Sequence, residues 1–194
     1  MADPYYSVDT LRNLVSVLPD AGRHSDELIA ELIAEYEDIA ERARGVAYRH
    51  REATFTTRPD RCSILLPHLQ IVSIDSVSID GEAWTTEQVE AITFDGSLGM
   101  VDAGGWWGSR ATIGYTHGLD APPPAILRGC REFARARALA EKANAPRNAI
   151  SWQDDSGWSY RTSTADWAAG RYTGIMAVDD AINSVTDYRV PGLA

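Results

Sequence analysis

A chain of 194 residues with 44% hydrophobic content can bury one sizeable core, and its length indicates one domain, at most two. A net charge of −10 argues against a protein that grips nucleic acid through its phosphates, though not against one past which DNA slides. No apolar run approaches the about 20 residues of a membrane span, and the polar, acidic start of the chain is unlike a secretory signal.

Ser7 or Asp9 can cap a short first helix over about residues 7–18, carrying Leu11, Leu14, Val15 and Leu18 and stopped by Pro19. The clearest element follows. Ser25 caps a helix over about 26–44 that Gly45 ends, with Leu28, Ile29, Leu32, Ile33, Tyr36, Ile39, Ala40 and Ala43 on one arc. The opposite arc carries Glu27, Glu31, Glu37, Asp38 and Glu41.

After Gly45 the hydrophobic period changes from 3.6 to two. Val46 to Thr57 reads as a strand, and Leu65-Leu66 and Ile71–Ile79 add strand material before the Asp80-Gly81 hairpin signal. Short strands are expected around Ala91–Phe94 and Gly99–Val101, with an Asp95-Gly96 turn between them, and a last strand over Arg110–Thr116. Residues 46–116 thus form an antiparallel β region, and the fold class is α+β.

Pro122-Pro123-Pro124 opens a third long helix over about 125–142. Its apolar arc holds Ile126, Cys130, Phe133, Ala134 and Ala140, while Arg128, Arg131, Arg135 and Lys142, the only lysine, cluster opposite with Leu139 nearby. Arg137 points into the apolar arc, so it must be paired or lie at an edge. From Arg147 the chain turns polar and tryptophan-rich, and a short helix is expected over about 178–185.

A catalytic constellation is not visible. His24, His50, His68 and His117 lie in separate segments without metal-ligand spacing, and each reads as a structural histidine. Cys62 and Cys130, each alone in its segment, are expected as reduced, buried small residues. Asp154-Asp155 lacks the alternation of a calcium loop, and Gly104-Gly105-Trp106-Trp107-Gly108 lacks the residues of a phosphate loop. The reading is a protein that is not an enzyme and uses neither metal nor cofactor. Its charge pattern suggests instead that the acidic ridge Glu27, Glu31, Asp38 meets the basic ridge Arg128, Arg131, Arg135 with Leu139 on an adjacent copy. Such a head-to-tail contact closes a ring if the rotation closes.

In order along the chain, a short helix precedes the long helix at Ser25–Arg44, and Leu69–Gly81 supplies a strand and turn. Next comes Ile113-Gly-Tyr-Thr-His-Gly118, leading into Pro122-Pro-Pro-Ala-Ile-Leu and an Ala/Arg-rich helix, and the chain closes with Val178-Asp-Asp-Ala-Ile-Asn-Ser-Val-Thr-Asp-Tyr-Arg-Val-Pro191. This combination resembles the head–tail connector (head-to-tail adaptor) family of long-tailed bacteriophages. The resemblance implies a core (residues 1–146) of bundled helices with the β region as an insertion, and a C-terminal arm (147–194). It also implies a ring, commonly a dodecamer, at the head–tail junction of a virion assembled in the host bacterial cytoplasm. Its partners would be the portal protein and a stopper or tail-completion protein, with genomic double-stranded DNA passing through without specific binding. The resemblance places portal contact on Tyr188, Arg189, Val190, Pro191 and Leu193. Two other readings are a stopper or tail-completion subunit, and a cytosolic ligand-binding module using Trp106-Trp107 and Trp152–Trp158 as a stacking platform.

Overall fold

A computed structural model describes residues 4–18, 24–59, 62–105, 107–142, 151–153, 159–161 and 164–188, with the side chains of 141, 142, 151–153 and 159–161 excepted. In chain order the first elements are α1 (Val8–Leu14), α2 (Asp26–Arg44), β1 (Arg51–Thr57), β2 (Ser63–Leu65), β3 (Ile71–Ile79) and β4 (Glu82–Ala83). There follow α3 (Thr86–Glu90), β5 (Thr93–Asp95), β6 (Met100–Asp102), β7 (Ala111–His117), α4 (Pro124–Lys142), β8 (Ser151–Gln153), β9 (Ser159–Arg161) and α5 (Met176–Asn183). The α+β class holds. The chain divides into a β unit, which includes Gly45–Ala121, and a helical unit of Pro4–Arg44 and Pro122–Asp187.

In the helical unit, α2 has the bounds that its period and caps dictate. The Leu28 N–H donates to Ser25 Oγ at 3.3 Å, and Gly45 follows the last turn at φ 70°. Ile29, Ile33, Tyr36, Ala40 and Ala43 of α2 are buried, as are Ile126, Cys130, Phe133, Ala134 and Ala138 of α4 and Val178, Ala181 and Ile182 of α5. Each large apolar side chain so buried is worth about 1.5–3 kcal/mol. The first helix ends four residues early, at Leu14. Val15–Leu18 instead forms a turn that Arg12 clamps, donating from Nη1 to the Leu18 carbonyl and from Nη2 to the His24 carbonyl, each at 2.9 Å.

Two buried charges fix α5. Arg44 donates from Nε to the Ile182 carbonyl (2.7 Å) and from Nη2 to Asn183 Oδ1 (2.8 Å). Asp179 Oδ1 accepts the Tyr172 and Thr173 N–H groups and the Thr173 hydroxyl, and Oδ2 accepts the Gly174 N–H. A buried carboxylate with several donors around it meets the rule that buried charge must be compensated. The paired strands β8 and β9 fall in a segment whose polar composition gave no strand signal.

In the β unit, four strands run in the order β1-β7-β3-β4 and three in the order β2-β6-β5, all antiparallel. One face of the larger sheet carries Ala111, Ile113 and Tyr115 of β7 opposite Phe55 and Ala53 of β1 and Ile74, Val77 and Ile79 of β3. These pack in a core with Ile64, Leu66, Ile92, Val101 and Trp107. Asp80 (φ 52°) and Gly81 (φ 95°) form the expected two-residue hairpin between β3 and β4.

Three local expectations differ. The strand read from Val46 begins at Arg51, because Val46–His50 takes irregular backbone in which the Ala47 carbonyl accepts the Leu119 N–H at 2.9 Å. The stretch before Ala91 contains α3, whose capping box (Thr85 with Gln88) is a signal present in the sequence. Cys62 is exposed, and only Cys130 is buried; burial, with Glu37 nearby, pushes its thiol up to about 12.

Candidate interaction surface

The acidic residues Glu27, Glu31 and Asp38 all lie exposed on α2, because the apolar arc of that helix is consumed by the core. Asp38 pairs along the helix with Arg42 at 2.7 Å. On α4, Arg128 and Arg135 are exposed and Arg131 and Leu139 half-buried. Arg135 lies 3.7 Å from Glu132, one turn back, and such an exposed pair contributes about 0.3–0.5 kcal/mol. Among the described residues none of the three acidic side chains forms an ion pair with Arg128, Arg131 or Arg135 in the same chain. Both ridges therefore reach solvent with their charge largely unspent.

Arg137 resolves the anomaly in the α4 wheel. It donates from Nη2 to Glu35 Oε1 on α2 at 2.8 Å and stacks over the Phe133 ring at 5.0 Å. One arginine thus cross-links the helices whose outer faces carry the opposed ridges. Beside it, Tyr36 donates through its hydroxyl to the Ile126 carbonyl at 2.9 Å, passing Gly129. Near the start of the chain Tyr6 donates to the Leu127 carbonyl at 3.4 Å; burial raises its pKa, against the lowering effect of Arg131.

Of the five residues that the resemblance assigns to portal contact, Tyr188 is half-buried, and Arg189, Val190, Pro191 and Leu193 lie outside the described residues. Of the tryptophan platform, Trp107 is not available as read. Trp107 is fully buried, its Nε1 donating to the Cys62 carbonyl and its ring stacked on Trp84 at 5.8 Å. Trp106, Trp158 and the side chain of Trp152 lie outside the described residues.

Sequence separation concealed one cluster. His68 and His117 stack at 4.0 Å, and Tyr115 Oη lies 2.6 Å from His68 Nδ1. Burial, with His68 and Arg51 adding to it, lowers His117 to about 4; burial also lowers His68 and raises Tyr115 to about 12. At neutral pH all three are uncharged, which fits packing more than acid–base chemistry. His50 stands apart, before β1, with Nε2 3.1 Å from Asp120 Oδ1. Among the described residues no three His, Cys, Asp or Glu side chains converge as a metal ion would require, and no helix is long and apolar enough to cross a membrane.

No protein-family model and no curated protein matches the sequence. In fold the chain is similar to one from the neck of an empty GTA (gene transfer agent) particle computed with C6 symmetry. The two are 15% identical, with a TM-score of 0.59 over 99% of this chain and 98% of that one. The likeness is one of fold, and it spans the helical and β units alike.

Proposed function

We propose that the chain is a structural, non-enzymatic subunit of a phage-like neck and, within it, the head-to-tail adaptor. In this reading copies form a ring beneath a portal protein, join it to a stopper or tail-completion protein, and let double-stranded DNA pass. The observation that carries it is the likeness in fold, nearly end to end, to a chain of a particle's neck. The unspent ridges on α2 and α4 support a heterologous contact between copies, the kind that builds rings.

Mixing the purified chain with a portal protein tests the reading. A ring seated on the portal in electron micrographs is the expected result, and no association with the portal overturns the adaptor role. Attachment only to a head-closure partner would indicate a stopper instead. Deleting the residues after Thr186 should abolish portal attachment while the far-ultraviolet spectrum stays intact; a truncated chain that still caps portals removes the tail from the interface. The double reversal R131E/R135E should weaken ring formation in a salt-dependent way, and unchanged oligomer mass would refute the ridge pairing.

A further inference from the structure

The outer face of the β1-β7-β3 sheet carries a row of hydroxyls, with Glu52 beside Thr116, and Asp75 accepting from Ser73 and Thr116, at the end away from Arg58 and Arg110. Register sets Thr56 and Ser78 beside Thr112, Thr54 and Ser76 beside Gly114, and Ser73 beside Thr116. Alternation continues the β1 and β7 rows to Arg58 and Arg110, at the sheet end where Thr57 faces Ala111. There a groove of about 660 Å³ is lined by Arg58, Arg110, Ser78, Ser109 and Thr112, with the Asp80-Gly81 turn at its edge.

That turn is rigidly held. The Asp80 N–H donates to the Arg110 carbonyl (2.8 Å) and the Arg110 N–H returns to Asp80 Oδ1 (2.8 Å). Ser109 adds its N–H to Oδ2 (3.2 Å) and its hydroxyl to Oδ1. Backbone and hydroxyl donors therefore satisfy Asp80, the only carboxylate lining the groove among the described residues, and neither guanidinium is used for it. Arg58 and Arg110 make no ion pair among the described residues, although the chain has 28 acidic side chains against 18 basic ones.

We propose that this groove binds phosphodiester groups of double-stranded DNA, with Arg58 and Arg110 supplying charge and Ser78 and Thr112 supplying hydroxyl donors. Two guanidinium groups among hydroxyls fit the several oxygens of a phosphate, which accept planar N–H pairs and O–H donors together. Among the described residues no Asn, Gln or aromatic side chain lines the groove, so it has no group there suited to adenine edges or base stacking, and the contact is one to the backbone. Two positive charges less that of Asp80 leave one, so a single groove binds weakly. The remaining negative charge of the chain limits the site to short range, since at physiological salt fields decay over about 8 Å. A weak contact of this kind, repeated on several copies, would guide a duplex without arresting it. The choice of a duplex as occupant rests on the neck reading, while the phosphate groove itself belongs to the isolated chain.

The test is a titration of the full chain with a short duplex at low and fourfold higher salt, beside R58Q/R110Q and R128Q/R131Q/R135Q. Two phosphate contacts predict about a tenfold loss of affinity across that salt range, and removing both should lower the log–log salt slope by about two. The α4 triple variant should keep the intact slope. Inorganic phosphate should shift the amide resonances of Ser109 and Arg110 at millimolar concentration. The proposal is overturned if R58Q/R110Q binds the duplex with the intact affinity and slope. It is equally overturned if phosphate leaves those amides unmoved, or if polyglutamate of matched charge competes as well as DNA. Such failure would leave ring formation on a portal unaffected, and that result judges the neck reading separately.

Discussion

Replacing Gly129 with alanine sets two effects against each other. Glycine inside a helix is worse than alanine by about 1 kcal/mol, so on propensity alone G129A should stabilise α4. The packing opposes this. A Cβ at 129 would fall well inside contact distance of Tyr36 Oη and would meet the Tyr36 ring carbon and the Ala181 Cβ at about 3 Å, tighter than ordinary contact. Tyr36 is fully buried, and its hydroxyl is tied to the Ile126 carbonyl, so the ring has no free volume into which to retreat. Overpacking costs about 1–3 kcal/mol, and a stranded buried hydroxyl about 1–3 kcal/mol more. Net of the propensity gain, G129A should lose about 1–5 kcal/mol, read as a lower denaturant midpoint at unchanged slope. Y36F removes the atom that clashes most, so on that background G129A should cost at least about 1 kcal/mol less, a coupling that a double-mutant cycle measures. A G129A chain more stable than its parent, or one showing no coupling to Tyr36, would refute this account of the α2–α4–α5 contact.

R44M should destabilise the helical unit by about 3 kcal/mol, since it strips the Ile182 carbonyl and the Asn183 side chain of their buried donor; hydrogen exchange should accelerate at the end of α5. Asp179→Asn keeps the shape but exchanges an acceptor for a donor facing backbone N–H groups, so about 2 kcal/mol should be lost and proteolysis should open the chain near Thr173. His117 is depressed to about 4 in the fold from an ordinary 6.5, so the unfolded chain binds the extra proton between those values. Stability is then full above about pH 6.5 and falls as pH drops toward 4, by at most about 1.4 kcal/mol per unit for the one group. Asp80, Asp95 and Asp166, held below the usual carboxylate range by hydrogen bonds, lose their share only below that window. H117Q should flatten the slope between pH 4 and 6.5, and an unchanged slope would show that the His68–His117 stack does not govern it.

The sequence by itself determined the elements whose signals are local. α2 needed only a 3.6 period, Ser25 before it and Gly45 after it, and the β3–β4 hairpin needed only Asp80-Gly81, because caps and left-handed turns are decided within a few residues. The two charged ridges were also legible, since a helical wheel places Arg131 and Glu31 without knowledge of any neighbour. Tertiary structure alone decided which strands lie side by side. A period of two separates the two faces of β7 but does not say that β1 and β3 flank it, and so the hydroxyl face ending in Arg58 and Arg110 could not be seen beforehand. The same long-range pairing brought His68 against His117 and sank Trp107 into the core instead of leaving it as a platform. Arg137 shows both levels at once: its position in an apolar arc demanded a partner, and only the packing of α4 on α2 could name Glu35.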